Sequence, residues 1–458
     1  MIRILHALHL ESGHPEAFHT FSLARGLARA GHETEVSSGL LGPTEHNPRA
    51  SVTLYSYDLL SLRSSLQWPD LERILEQWSK ISEKNFLIVQ DDFTRPKTTE
   101  AFFRRISADA LLSPHAFDGR ARLIYPEVPP EKIFFVRNGY LDRDFLDHFL
   151  ATNKIESIEQ RKPLVGGRTT RLPPWFGEEA IHKALLQDKL GEALQASRSV
   201  DLDFETESSL RKRGVEWFRW LSSLQLVVNG VGGATCIDRS GRIREGFERA
   251  ERSLVFKHLF FRRASFLARR SYAPLQNYGP RVLEAMAMGT PQVLTWSPRI
   301  LERVFPGLNP WEHFVPVKED FSDLDLVVRA FHDKDLLAEM SSRASGFVHE
   351  SENFFFGSFA REVLAIGQMG FSSDTEGSVA VQPSLAEYFR AKNACRTAIK
   401  EAFVRGIKSR QEVQMHTDSE CGAQESLKSL HSLWRDGKLS IYGAQILDRI
   451  VGMDPTAY

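Results

Sequence analysis

The chain is predicted to be an α/β protein, because apolar runs of strand length alternate with stretches of helical periodicity through most of it. At the amino terminus, Ile2 to Leu8 suits a buried parallel strand and runs into the polar turn Glu11-Ser12-Gly13-His14. Phe18, Phe21, Leu23, Ala24, Leu27 and Ala28 then recur at helical spacing, and Gly31-His32 closes that helix before Glu33 to Val36. The same alternation returns at Pro163 to Gly167, at Leu226 to Asn229 and between Leu283 and Leu294. With 458 residues there is chain enough for two or three domains, each with its own core.

Between these landmarks the elements follow in order. Pro43 to Leu62 is expected to contain loop, and Trp68 to Trp78 reads as a helix. Phe86 to Gln90 is a short strand that ends on Asp91-Asp92, at the carboxyl edge of a sheet where α/β ligands bind. There an acidic pair suits a base or a holder of an acceptor hydroxyl, and equally suits a cap for the next helix. Ala110 to Ser113 and Lys132 to Arg137 are further strands, and the polar segment Asn153 to Lys162 reads as an interdomain linker. Trp217 to Leu226 is helix-like. Gly230 to Leu275 is long, glycine-rich at its start but without the Lys-Ser/Thr of a P-loop, and dense in arginine and aromatic residues from Arg239 to Arg270. That basic stretch suits an anionic acceptor, lipid or nucleic acid, or a solvated amphipathic helix. Pro298 to Val304, Phe321 to Phe331 and Leu336 to Val348 are helices, with a strand at Trp311 to Val317.

Composition narrows the class. Hydrophobic content of 42% and charged content of 26% are ordinary for a globular protein. A formal charge of -1 gives no global field toward nucleic acid, so no nucleic-acid partner is expected. Cys236, Cys395 and Cys421 are too few and too scattered for a disulfide framework or a metal site. The first apolar run is too short for a signal peptide, and no run reaches the ~18 apolar residues of a membrane span. The expectation is a cytoplasmic protein, with peripheral membrane contact left open.

The stretch that carries most chemistry is Gln276 to Leu294. Gly279-Pro280 starts a helix, Leu283, Met286 and Ala287 share its buried face, and Gly289 ends it before the Val293-Leu294 strand. A helix opened by a glycine loop offers unpaired N–H groups to a phosphate, and Glu284, about one turn in, can accept from sugar hydroxyls.

This stretch resembles the donor-site motif of GT-B glycosyltransferases, the retaining family-four type in particular, where two glutamates bracket a Gly-aromatic-Gly loop. Here the pattern falls on Gln276, Asn277, Tyr278, Gly279 and Glu284, followed by the family-like run to Gly289-Thr290-Pro291. Gln276 replaces the first glutamate and Asn277 the first glycine. Gly166-Gly167-Arg168 is similar to the family's Gly-Arg loop, and Asn138-Gly139 to a turn bordering its cleft. The resemblance implies two Rossmann-like lobes with an interdomain cleft: an acceptor-side domain over residues 1–152, and a donor-binding domain over 163–370 with an insertion at 230–275. A helical tail at 385–458 has no counterpart.

The function implied is transfer of a sugar from a nucleotide-sugar donor to an unidentified glycan, lipid, small molecule or protein, with retention, no metal and no cofactor. Glu284 would bind the ribose and Gln276 the sugar hydroxyls. The diphosphate would fall to the Tyr278-Gly279-Pro280-Arg281 turn and to Arg168, with Arg171 as the second cation. Gly13 and His14 would line the first loop, Asn138 the cleft, and Asp91 would act on the acceptor. Two alternatives stand beside it: a sugar-nucleotide epimerase on the same fold, and, from another class, a catalytically silent nucleotide-sugar-binding or scaffold protein.

Overall fold

The computed structural model describes residues 1–6, 15–39, 42–64, 68–90, 93–177, 179–195, 200–206, 212, 214–252 and 257–368. Gly13, His14, Asp91 and the 385–458 tail lie outside the described residues. The described residues divide into two compact units, one formed within 1–89, 98–112 and 360–368, the other within 90–97 and 113–359. The α/β class holds in both.

The first unit is built on β1 (Ile2–His6), β2 (Thr34–Ser38), β3 (Ala50–Tyr55), β4 (Ser82–Ile88) and β5 (Ala110–Ser113). They are parallel, in the order β2-β1-β3-β4-β5. Parallel strands are covered on both faces, which is why β1 is apolar at successive positions and wholly buried. Of its two polar residues, Arg3 and His6, Arg3 reaches Glu35 on β2 at 2.9 Å and the Pro48 carbonyl at 2.6 Å, with its guanidinium 4.8 Å from the Trp78 ring. Burial works against the Glu35 carboxylate, but hydrogen bonds from Arg3 and Ser37 outweigh it and hold the group below the usual carboxylate range.

Pro43 to Leu62, expected to contain loop, does so over residues 43–49 and then holds β3 and the helix Tyr57–Ser61. Thr53 and Tyr55 disguise the strand, since both look solvent-facing. In the sheet they are buried against partners on β4: Thr53 Oγ1 lies 2.5 Å from Ser82 Oγ, and Tyr55 donates to Asn85 Oδ1 at 3.1 Å.

In the second unit a short strand, β6 (Ile133–Phe135), precedes β7 (Leu164–Arg168), β8 (Asp201–Glu205), β9 (Leu226–Asn229), β10 (Gly232–Cys236), β11 (Tyr272–Asn277), β12 (Gln292–Thr295) and β13 (Val315–Val317). A parallel sheet runs β13-β12-β9-β7-β8, while β10 and β11 form a separate antiparallel ribbon. Helices cover both faces. On one, Leu186, Leu190 and Leu194 of the Glu179–Gln195 helix join Val165, Val228 and Val315. On the other, Trp220 and Leu221 of the Gly214–Ser223 helix join Leu283, Met286 and Leu294. The two glycines of β7 let those helices close in. A Cβ at Gly166 would stand 2.5 Å from Leu224 Cδ1, and one at Gly167 2.5 Å from Gln187 Nε2.

The expected linker ends on a buried anchor. Arg161 donates to the carbonyls of Leu224 at 2.9 Å and Met288 at 3.1 Å, and to Thr290 Oγ1 at 3.0 Å. Far down the chain, Lys84 Nζ donates to the Gly367 carbonyl at 2.7 Å, so the Phe356–Gln368 helix ends within the first unit.

Candidate functional site

The second sheet has a topological switch. Numbered along the chain, its strands lie in the order 2-1-3-4-5, so β7 is followed outward to β8 on one side while β9 lies on its other side. Helices after β7 and after β9 pack on opposite faces, and it is outside the carboxyl ends of two such strands that α/β sheets place their ligand crevice. Gly167-Arg168 ends β7 and Asn229-Gly230 ends β9.

Over this crevice lies a residue the sequence reading passed by, Lys183. It sits in the second turn of the Glu179–Gln195 helix and lies across the backbone that follows β9. A Cβ at Gly232 would meet its Nζ at 2.5 Å, and one at Gly230 its Cγ at 2.9 Å. The glycine-rich run Gly230-Val231-Gly232-Gly233 is therefore bare so that a lysine stem can lie on it. That run was the available signal, since side chains missing in a row ask what occupies their place. On the β12 side, Thr295 Oγ1 lies 3.5 Å from the same Gly230 position and is buried without a hydrogen-bond partner among the described residues.

The Gln276 to Leu294 stretch enters next to it. Gly232 pairs with Asn277 and Gly233 with Gln276 in the β10–β11 ribbon. Gln276 therefore stands on a strand, and its carbonyl accepts from Arg120 at 2.9 Å. Tyr278 is fully buried and donates to the Thr295 carbonyl at 2.5 Å, which pins the turn to the end of β12. Gly279 is partly open, with nothing within 4 Å of where a side chain would begin. Pro280 packs against the turn read from sequence at Asn138-Gly139: Gly139 has φ +121°, and a Cβ there would stand 2.5 Å from Pro280 Cβ. These two turns are brought together.

The helix Arg281–Ala287 carries the remaining candidates. Glu284 accepts from Trp217 Nε1 at 2.8 Å. Burial raises its pKa, against the pull of that hydrogen bond and of the nearby Arg281 charge. Arg281 lies over the Trp217 ring at 5.2 Å and donates to the Arg168 carbonyl.

Arg168 itself departs from the expectation of a cation offered to a diphosphate. Its side chain is 9% exposed, pairs with Asp203 Oδ1 at 2.5 Å and stacks on Trp220 at 4.5 Å. Asp203 and Trp220 are neighbours of β7 that the sequence reading did not connect to it, and they take up the charge. Burial works against the Asp203 carboxylate, but hydrogen bonds from Arg168 and Trp220 hold it below the usual range. Arg171 is exposed and pairs with Asp188 at 2.6 Å. The structure thus gathers Lys183, Tyr278, Gly279 and Pro280 around the ends of β9 and β12, with Glu284 and Arg281 on the Trp217 side.

No protein-family profile matches the chain, and no curated protein does. Among solved structures the chain is similar to a glycosyltransferase from Rickettsia africae, at 11% identity and a TM-score of 0.43, over 80% of this chain and 97% of that one. It is similar to an alpha-glucosyltransferase solved with UDP-glucose and DNA containing an abasic site, at 12% identity and a TM-score of 0.45, over 80% and 99%. A third is WaaG, a glycosyltransferase involved in lipopolysaccharide biosynthesis, at 10% identity and a TM-score of 0.39, over 79% and 99%.

Proposed function

We propose that the protein transfers a sugar from a nucleotide-sugar donor, and that the donor is held by the second unit at the β7/β9 switch point. The observation that carries this reading is the Lys183 stem laid on Gly230 and Gly232, beside the open face of Gly279. A lysine ammonium there faces the place where a diphosphate would lie, and it would offset the charge that builds as the sugar departs. Glu284 uses one carboxylate oxygen for Trp217, and its other oxygen suits a ribose hydroxyl. Gln276 is assigned to the sugar hydroxyls and Asp91 to the acceptor. Arg168 is assigned to positioning, because its carbonyl holds Arg281. Retention at the anomeric carbon and the family-four type rest on the motif from Gln276 to Pro291, and the anomer of the product, read by NMR, decides between outcomes.

The test is a thermal-shift screen with UDP-, GDP-, ADP- and dTDP-sugars, followed by a donor-turnover assay. A bound donor stabilises the native state by mass action. Lys183→Ala is expected to lower turnover by ~100-fold or more, as loss of one charge-stabilising donor does, and Glu284→Ala to weaken nucleotide binding. If no donor shifts the melting point and none is turned over, the assignment fails. A second reading, a silent nucleotide-sugar binder, is favoured by the neutral Gln276 where the motif has a carboxylate. Binding of a nucleotide sugar without turnover of any would select it.

A further inference from the structure

We infer that the helix Lys257–Arg270 docks the protein on an anionic lipid bilayer. Its inner face is settled: Ala264 is 1% exposed and packs with Cys236, Ile243 and Phe247. Leu259 and Phe266, seven residues apart, share the opposite face and are 63% and 53% exposed. Two large apolar side chains thus share one exposed stripe opposite the helix's buried face.

Charge identifies what covers them. The helix carries Lys257, Arg262, Arg263, Arg269 and Arg270 and no Asp or Glu, in a chain whose net charge is -1. Arg262 falls on one side of the Leu259–Phe266 stripe and Arg263 and Arg270 on the other, with the Arg270 guanidinium 5.5 Å from the Phe266 ring. A cleft of about 450 Å³ shares Leu267 and Arg270 with this helix and is lined also by Leu123, the 65% exposed Tyr272, Arg239 and Arg242, with one carboxylate, the buried Asp238. An apolar stripe between rows of arginine matches a bilayer interface, with acyl chains for the stripe and anionic headgroups for the arginines. A polynucleotide would use the arginines but leave the aliphatic Leu259 in water. The helix is not a spanning one: among the described residues no helix is long and apolar enough to cross a membrane.

The experiment is co-sedimentation of the full chain with vesicles of phosphatidylcholine alone and with about a third phosphatidylglycerol, at low and high salt. The wild type is expected to bind the anionic vesicles about tenfold better, and less so at high salt, as basic residues near a charged surface do. Leu259→Glu with Phe266→Glu, and separately Arg262→Glu with Arg263→Glu, should each lose most of that binding. Circular dichroism and thermal melting confirm that the variants fold, which exposed positions should permit. Equal binding to both vesicle types, no binding at all, or binding retained in folded variants overturns the inference. So does wild-type binding to a single-stranded RNA with none to vesicles.

Discussion

Arg161 is the residue whose loss should be felt most widely in the second unit. Its guanidinium serves the carbonyls of Leu224 and Met288 and the hydroxyl of Thr290, three acceptors in two separate segments, and burial lowers its pKa only to about 10, so it stays charged at neutral pH. Arg161→Met keeps bulk but strands those acceptors, at a cost of about 3 kcal/mol, since each buried group left unpaired costs ~1–3 kcal/mol; urea melts measure it. Glu284 acts in the opposite sense with pH. Its folded pKa is raised, so the folded state holds the proton longer than the unfolded chain does. Stability from this group is therefore greatest below the ordinary glutamate range and falls as pH rises toward the raised value. Glu284→Gln keeps an acceptor for Trp217 and should flatten that part of the profile. An unchanged slope between mildly acid and neutral pH would show that Glu284 is not its source.

At the scale of elements, the turns at Asn138-Gly139 and Gly279-Pro280 depend on each other. Gly139 sits at φ +121°, and a Cβ there would meet Pro280 Cβ at 2.5 Å, so Gly139→Ala adds both backbone strain and a collision with a ring that cannot swing away. About 1–3 kcal/mol of destabilisation is expected from the strain alone, together with weaker donor binding, because the Gly279 loop must shift; melting and thermal-shift measurements separate the two effects. This pairing also marks the limit of what sequence shows. Both turns could be read from Gly and Pro signals, and β1, β5 and β9 from their apolar runs. Their contact joins positions more than a hundred residues apart, and no local pattern encodes it. β3 escaped because buried Thr53 and Tyr55 pair with β4, and β8 because its alternating Asp201-Leu202-Asp203 looks like surface until Asp203 is seen to hold Arg168. Lys183 was hidden for the same reason, since a lysine on a helix reads as solvated until the glycines beneath it are placed.

Over the whole molecule, chain order and unit membership differ. The chain begins in the first unit, enters the second briefly at 90–97, comes back for 98–112, forms the rest of the second, and returns again at residue 360. That return is structural for the first unit. Ala360 and Val363 are buried, Gly367 lies 3.8 Å from Val52 and 3.9 Å from Phe86 when given a Cβ, and its carbonyl takes the Lys84 amine. Ending the chain after residue 359 removes this cover from β3 and β4, two interior strands of their sheet. Losing Val363 alone should cost about 1.5–3 kcal/mol of apolar burial, before the Lys84 hydrogen bond is counted. Ending it after residue 368 keeps every one of these contacts. Hydrogen exchange should therefore show faster exchange in β3 and β4 for the chain ending at 359 than for the chain ending at 368, with β9 and β12 less affected. Equal protection in the two shortened chains would mean that the first unit is complete without its returning helix.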